Sequence, residues 1–279
     1  MADTGGAPCA AGSYPPPVIV ALSIAGSDPT GGAGLQADVQ VFRALGVHGA
    51  GVVTGLTVQD TTRVHQVLPA FPNVVLDQLR VLLRDLPPDA VKIGMLGTDD
   101  VARSVELGLR ELDPSRRVPV VVDPVLAASD GTPLLERRGW GKLQDLIGRS
   151  TIVTPNLGEA EALTGCDVST DEGVEAAASA LVSLGANAAL VKGGHREGDP
   201  DDLLAVRDGG STSLHWLRGE RIPTGPVRGT GCALASAIAA RLAWGDPLPE
   251  AVAVARRFVA TALAGAAARG RGARFLAYP

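Results

Sequence analysis

Apolar residues along this chain fall mainly into short unbroken runs, separated by glycine-bearing loops and by stretches of helical spacing. The first run covers residues 18–25 and lacks alternation, which suits a strand covered on both faces, as in a parallel sheet. A glycine-rich loop at 26–34 follows, and then Leu35, Val39, Phe42 and Leu45 recur at helical spacing until Gly46 stops the pattern. The rhythm repeats. Strands are predicted at 51–58, 90–95, 118–122, 151–153 and 186–192, with helices at 74–83, 99–112 and 171–184. Asp99 and Asp100 favour the positive end of one helix, and Pro87 and Pro88 close another. Two short segments, 203–206 and 214–216, flank Asp208-Gly209-Gly210 and read as an edge hairpin. Helices at 232–244 and 250–268 end the chain. This order predicts a single α/β domain over 17–279 with a mainly parallel central sheet, preceded by a disordered, proline-rich tail at 1–16.

Composition narrows the function classes. With 279 residues, 46% apolar and 20% charged, the chain can close a sizeable core. Aromatic residues make up only 3% and the net charge is −5, so neither a basic face nor stacking rings point to a nucleic-acid partner. Cys9, Cys166 and Cys232 form no disulfide framework and no zinc spacing. The N-terminal stretch has no basic start followed by an apolar run, and no apolar stretch reaches the ~18 residues of a membrane span. A soluble, cytoplasmic protein is expected.

In open parallel sheets ligands bind beyond the carboxyl ends of the strands. Polar, charged or glycine residues follow each predicted strand: Gly26 to Gly34, Gln59-Asp60, Gly94 to Gly97, Asp123-Pro124, Pro155 to Glu159, and Lys192-Gly193-Gly194-His195. The most informative segment is Arg228-Gly229-Thr230-Gly231-Cys232, which opens a helix of small residues. Glycines there let consecutive amides point together along the positive end of the helix dipole, an anion hole suited to a phosphoryl group in transit. Cys232 in the first turn would feel the same field, which lowers a thiol's pKa and makes it a candidate proton acceptor. A tight loop beneath a helix with an inert cysteine accounts for the same spacing. Gly31-Gly32-Ala33-Gly34 is either a phosphate cradle or a plain turn, and Asp38 is either a dipole partner or a ligand for a substrate donor. Asn156 and Glu159 form a capping box or order magnesium through water, and Asp123 could add a second acidic group. Lys192 either snorkels or reaches a phosphate. No role is assigned to His48, His65 or His215.

Taken in order over residues 18–265, these segments resemble the hydroxymethylpyrimidine/phosphomethylpyrimidine kinases of thiamine biosynthesis, which are ribokinase-like vitamin kinases. The resemblance lies in residues 25–38, Lys92 to Leu96, Val121 to Val125, Thr154 to Glu159, Lys192 to His195 and Gly229 to Cys232. It implies a ribokinase-like fold and two ATP-dependent phosphorylations at one site. The first acts on 4-amino-5-hydroxymethyl-2-methylpyrimidine and the second on its monophosphate. By the same resemblance Gly26, Asp38, Gln59, Met95 and Val125 line the pyrimidine pocket, and Asn156, Lys192 and Thr230 meet ATP. Glu159 and Asp123 serve Mg2+, Gly229, Thr230 and Gly231 form the anion hole, and Cys232 is the base. A homodimer is implied. Alternatives are a pyridoxal or pyridoxine kinase of the same fold, or a pyrimidine sensor without turnover. Val227 and Arg228 stand where the family often has Thr-His. Arginine there either neutralises phosphate charge permanently or points outward.

Overall fold

The computed structural model describes residues 18–194 and 198–279, so the expected 1–16 tail and His195 lie outside the described residues. Strands β1 (Val20–Ser27), β2 (His48–Gln59), β3 (Val64–Pro69), β4 (Ala90–Ile93) and β5 (Val120–Val122) come from the first half of the chain. They are joined by helices α1 (Gly34–Ala44), α2 (Pro72–Asp85) and α3 (Asp99–Leu109). The second half adds α4 (Trp140–Ile147), β6 (Ile152–Val153), α5 (Leu157–Thr164), α6 (Asp171–Ser183) and β7 (Ala188–Val191). It ends with β8 (Asp202–Asp208), β9 (Ser211–Leu217), α7 (Thr230–Ala243) and α8 (Leu248–Ala264). All the strands form one sheet in the order β3-β2-β1-β4-β5-β6-β7-β8-β9. From β2 to β7 neighbours are parallel, while β3 at one edge and β8 and β9 at the other are antiparallel.

Successive strand residues face opposite layers, and both layers are covered. Leu22, Ile24, Val91, Ile93, Val122 and Val153 belong to the core shared with α2 to α6. Ala21, Ala90, Val121 and Ile152 pack under α1, α7 and α8. This two-sided burial is the reason the sequence shows apolar runs rather than alternation. Two elements differ from the sequence expectation. β3 is an exposed edge strand ending in Pro69, with too little apolar content to stand out. α4 is short and carries Gly141, although Leu143, Leu146 and Ile147 are at helical spacing. The last helix stops at Ala264, so the residues expected to continue it to 268 are free for another use.

Beneath the carboxyl end of the sheet lies a buried ion pair. Lys92 on β4 and Asp38 on α1 both have fully buried side chains, with Nζ 3.0 and 2.8 Å from the two carboxylate oxygens. Ser23 on β1 donates to Asp38 at 2.6 Å, and Ser236 on α7 donates at 2.7 Å. Every lone-pair direction of the carboxylate is used. Asp38 therefore has no oxygen left for a substrate, which corrects its expected place in the pyrimidine pocket. It acts one layer below, by joining four elements.

An unpaired buried charge costs far more than a missing neutral pair. Lys92→Met should destabilise the protein by about 3–5 kcal/mol, and the double variant Lys92→Met/Asp38→Leu should be more stable than Lys92→Met alone. Urea denaturation of both checks this; a double variant less stable than Lys92→Met would contradict the assignment.

Candidate active site

The chain leaves β1 towards β2 on one side and returns through β4 on the other, which opens a crevice at the carboxyl ends of the two inner strands. A cavity of about 330 Å³ occupies it. Its wall carries Gly26, Gln59, Met95, Asp123, Val125, Asn156, Glu159, Lys192 and the whole segment Arg228 to Cys232. Of the site residues expected from sequence, Asp38 alone lies off this wall.

The early glycine loop is held by its own side chains. Asp28 accepts from the amide and hydroxyl of Thr30 at 2.8 and 2.9 Å, and Gln36 accepts from the Asp28 amide at 2.9 Å. Its glycines serve close backbone approach. At Gly34 (φ +59°) a side-chain carbon would fall 2.3 Å from the Gly26 carbonyl oxygen. At Gly229 (φ +80°) it would fall 1.9 Å from the carbonyl oxygen of Gly32. The early glycine loop and the late loop at 228–232 thus rest directly on each other. Gly229 caps α7 without a side chain, and the first three amides of the helix have no protein acceptor among the described residues.

On the opposite wall, the Met95 thioether lies over Gly26, where a side-chain carbon would fall 2.6 Å from its sulfur. Gln59 ends β2 half-buried, with no protein partner for its side-chain amide among the described residues. Arg228 does not point outward: its guanidinium donates to the Asp60 carbonyl at 2.8 Å and closes one end of the cavity.

Charge concentrates between these walls. Lys192 donates to Asp123 at 3.3 Å, and a side-chain carbon at Gly231 would fall 3.1 Å from the lysine Nζ. Burial opposes the charge on Lys192, but Asp123 and Glu159 outweigh it and hold the ammonium above its ordinary pKa. Burial pushes the Glu159 carboxyl up to about 7, and Asp123 adds to the rise while Lys192 and the Asn156 amide oppose it. Asn156 and Glu159 do form the capping box of α5, at 2.8 and 2.9 Å, and both still border the cavity. The two readings of this pair are compatible. No group of three or more His, Cys, Asp or Glu side chains among the described residues is placed to hold a metal ion.

Cys232 corrects an expectation. Burial pushes its thiol up to about 12, with Asp123 and Asp38 adding to the rise. Lys92 and the Gly34 amide, which donates to the sulfur, oppose it. Desolvation outweighs the Lys92 charge and the Gly34 amide, so the resting group is a thiol. Lys92 is the residue whose place at the cavity floor sequence reasoning missed. Its signal was a lysine inside an otherwise apolar strand run, Ala90-Val91-Lys92-Ile93.

The sequence profile of the phosphomethylpyrimidine kinase family matches residues 28–276. A hydroxymethylpyrimidine/phosphomethylpyrimidine kinase from Rhizobium meliloti is 42% identical over 250 residues, 88% of this chain and 91% of its own length. The thiamine biosynthesis bifunctional protein ThiED of Geobacter sulfurreducens is 43% identical over 256 residues, 90% of this chain, which spans only 50% of that protein. Among solved structures, the ADP complex of Bacillus subtilis pyridoxal kinase is similar with a TM-score of 0.82 and 29% identity, over 94% of this chain and 98% of that one. Phosphomethylpyrimidine kinase from Clostridium difficile is similar with a TM-score of 0.73 and 32% identity, over 87% of this chain and 98% of that one.

Because the folded Glu159 carboxyl titrates near 7, above its ordinary 4.5, the folded state binds the extra proton and stability falls as pH rises between those values. Glu159→Gln keeps an acceptor for the Asn156 amide and removes the buried charge. The variant should melt higher than the parent at pH 8 and match it more closely at pH 5; parallel melting curves across that range would contradict the buried-charge account.

Proposed function

The chain belongs to the phosphomethylpyrimidine kinase family, and on that premise we propose that it transfers the γ-phosphoryl group of ATP to 4-amino-5-hydroxymethyl-2-methylpyrimidine and then to the resulting monophosphate, for thiamine biosynthesis. The observation that carries this reading is the meeting, across one cavity, of the unpaired α7 amides and the Gln59 wall. Phosphoryl transfer needs little covalent help from protein; positioning and charge stabilisation supply most of the catalysis. The amides of Thr230 and Gly231 grip the moving phosphoryl group, and Lys192 beside Gly231 balances its charge. Gln59 offers a donor and an acceptor to an aminopyrimidine edge, with Gly26, Met95 and Val125 as the apolar bed. Asn156 and Thr230 hold the nucleotide phosphates.

The donor set suits magnesium, which binds through one or two carboxylates together with phosphate oxygens and waters. Asp123 and Glu159 face one cavity, and their mutual repulsion favours a cation between them. Bound there, the ion would neutralise phosphate charge. A homodimer belongs to the same proposal, supported by the exposed apolar edge of Leu56 and Val58 on β2 with Leu68 on β3. So does a cytoplasmic setting, where ATP is supplied. The similarity to pyridoxal kinase structures favours, as a second reading, a kinase acting on vitamin B6 alcohols.

Incubation with ATP and either alcohol, followed by product mass analysis, tests the reading. Conversion of the pyrimidine to its monophosphate and diphosphate is expected. Phosphorylation of pyridoxal alone would favour the second reading, and pyrimidine binding without ADP release would favour a sensor.

Cys232 is the proposed base for the substrate hydroxyl. Since its thiol lies near 12, the ionised fraction is minute at neutral pH and grows about tenfold per pH unit. Turnover should therefore climb steadily from pH 7 to 9 in the parent and drop strongly in Cys232→Ala, with the pyrimidine KM nearly unchanged. A flat profile with an active alanine variant would mean that the proton leaves late, to the phosphoryl oxygens.

A further inference from the structure

Beyond α8 the chain turns back beside the turn that follows Gln59, where Gly270 and Arg271 border a second hollow together with Gln59 and Asp60. Ala267 and Phe275 exchange backbone hydrogen bonds, each 3.0 Å, so that the residues between them form a closed strap. Its far end is anchored on the α8 layer, where Ala277 donates to the Ala262 carbonyl at 3.1 Å and Tyr278 stacks on Phe258 at 5.9 Å.

The strap holds three loops that belong to different walls of the site. At the turn after Gln59, the Ala273 amide donates to the Thr61 carbonyl at 2.8 Å and the Gly272 amide to the Thr61 hydroxyl at 3.1 Å. This approach is close: a side-chain carbon at Gly272 would fall 2.0 Å from the Thr61 carbonyl oxygen. Just ahead of the anion loop, the Arg274 amide donates to the Pro226 carbonyl at 2.8 Å, and the Arg228 amide donates back to Arg274 at 3.1 Å. Between them the Phe275 ring lies on Gly32, where a side-chain carbon would come within 2.8 Å of the ring. Gly32 is the same residue whose carbonyl supports Gly229. Phe275, Gly32 and Gly229 therefore form a continuous stack ending at the phosphoryl-gripping amides.

We propose that the C-terminal strap, through Phe275, is a positioning element that fixes the distance between the Gln59 wall and the amides of Gly229 to Gly231. The proposal rests on the phosphotransferase reading above. It follows from geometry: among the described residues only the Arg228 bond to the Asp60 carbonyl joins the two walls directly, and the strap adds backbone bonds to both. A displacement of about 1 Å between reacting groups can lower a rate by about a hundredfold.

Phe275→Ala, Phe275→Leu and Gly272→Ala test it, each assayed well below its own melting temperature. Phe275→Ala should lower kcat about tenfold or more while the KM for ATP changes little, and Phe275→Leu should restore most of the loss. Gly272→Ala should raise the KM for the alcohol substrate. Hydrogen exchange, which needs no substrate, should accelerate in Phe275→Ala both within 60–63 and at the Arg228 and Ala233 amides. Unchanged kcat in folded Phe275→Ala, or faster exchange confined to 266–279, would overturn the proposal. If the parent chain phosphorylates neither alcohol, the functional reading fails, and the exchange pattern alone decides the role of the strap.

Discussion

The contact between Lys92 and Asp38 sets the frame for everything above it. A charge pair with both side chains fully buried is tolerated only when each member is fully satisfied, and here two serines complete the set. Those partners lie on β1, β4, α1 and α7, the four elements around the point where the strand order reverses. The pair therefore fixes the angle at which α7 meets the sheet, and with it the direction of the amides at the start of α7. It also sets the Lys92 ammonium under a cleft, near enough to Asp123 and Cys232 to feel both.

Above that frame the two glycine loops and the charged residues answer different demands. Gly34 and Gly229 are glycine because carbonyl oxygens occupy the space of their side chains, so their role is backbone proximity. Lys192, Asp123 and Glu159 instead balance one another at the edge of neutrality, with Glu159 held near its midpoint at physiological pH by burial.

The layered fold was readable from the chain because burial on both faces of a parallel sheet leaves a strong apolar signal, as in β1 and β7. Edge strand β3 and short helix α4 left a weak one. The lining of the candidate site was readable where it follows local order along the chain: Gly229 to Cys232, Asn156 to Glu159, and Gln59 at a strand end all border one cavity. It was not readable where the outcome depends on partners remote in sequence. Asp38 became a buried structural anion because Lys92 lies 54 residues away along the chain. Cys232 became a high-pKa thiol because desolvation in the assembled cleft outweighs the Lys92 charge and the Gly34 amide, both remote in sequence. The strap after Ala264 carries small residues and arginines with no periodicity, and its meaning lies wholly in what it touches.

The hydrogen bond from Ser236 to Asp38 spans 198 residues. It implies a particular order of events on the ribosome. The strands β1 and β4 emerge early, yet much of the layer that covers one of their faces comes from α7 and α8, long after them. Until those helices have been synthesised, the nascent sheet carries an apolar face covered only by α1, and the Asp38 carboxylate lacks its Ser236 partner. On that side the domain completes its fold only once α7 has emerged, and until then the growing chain is open to aggregation.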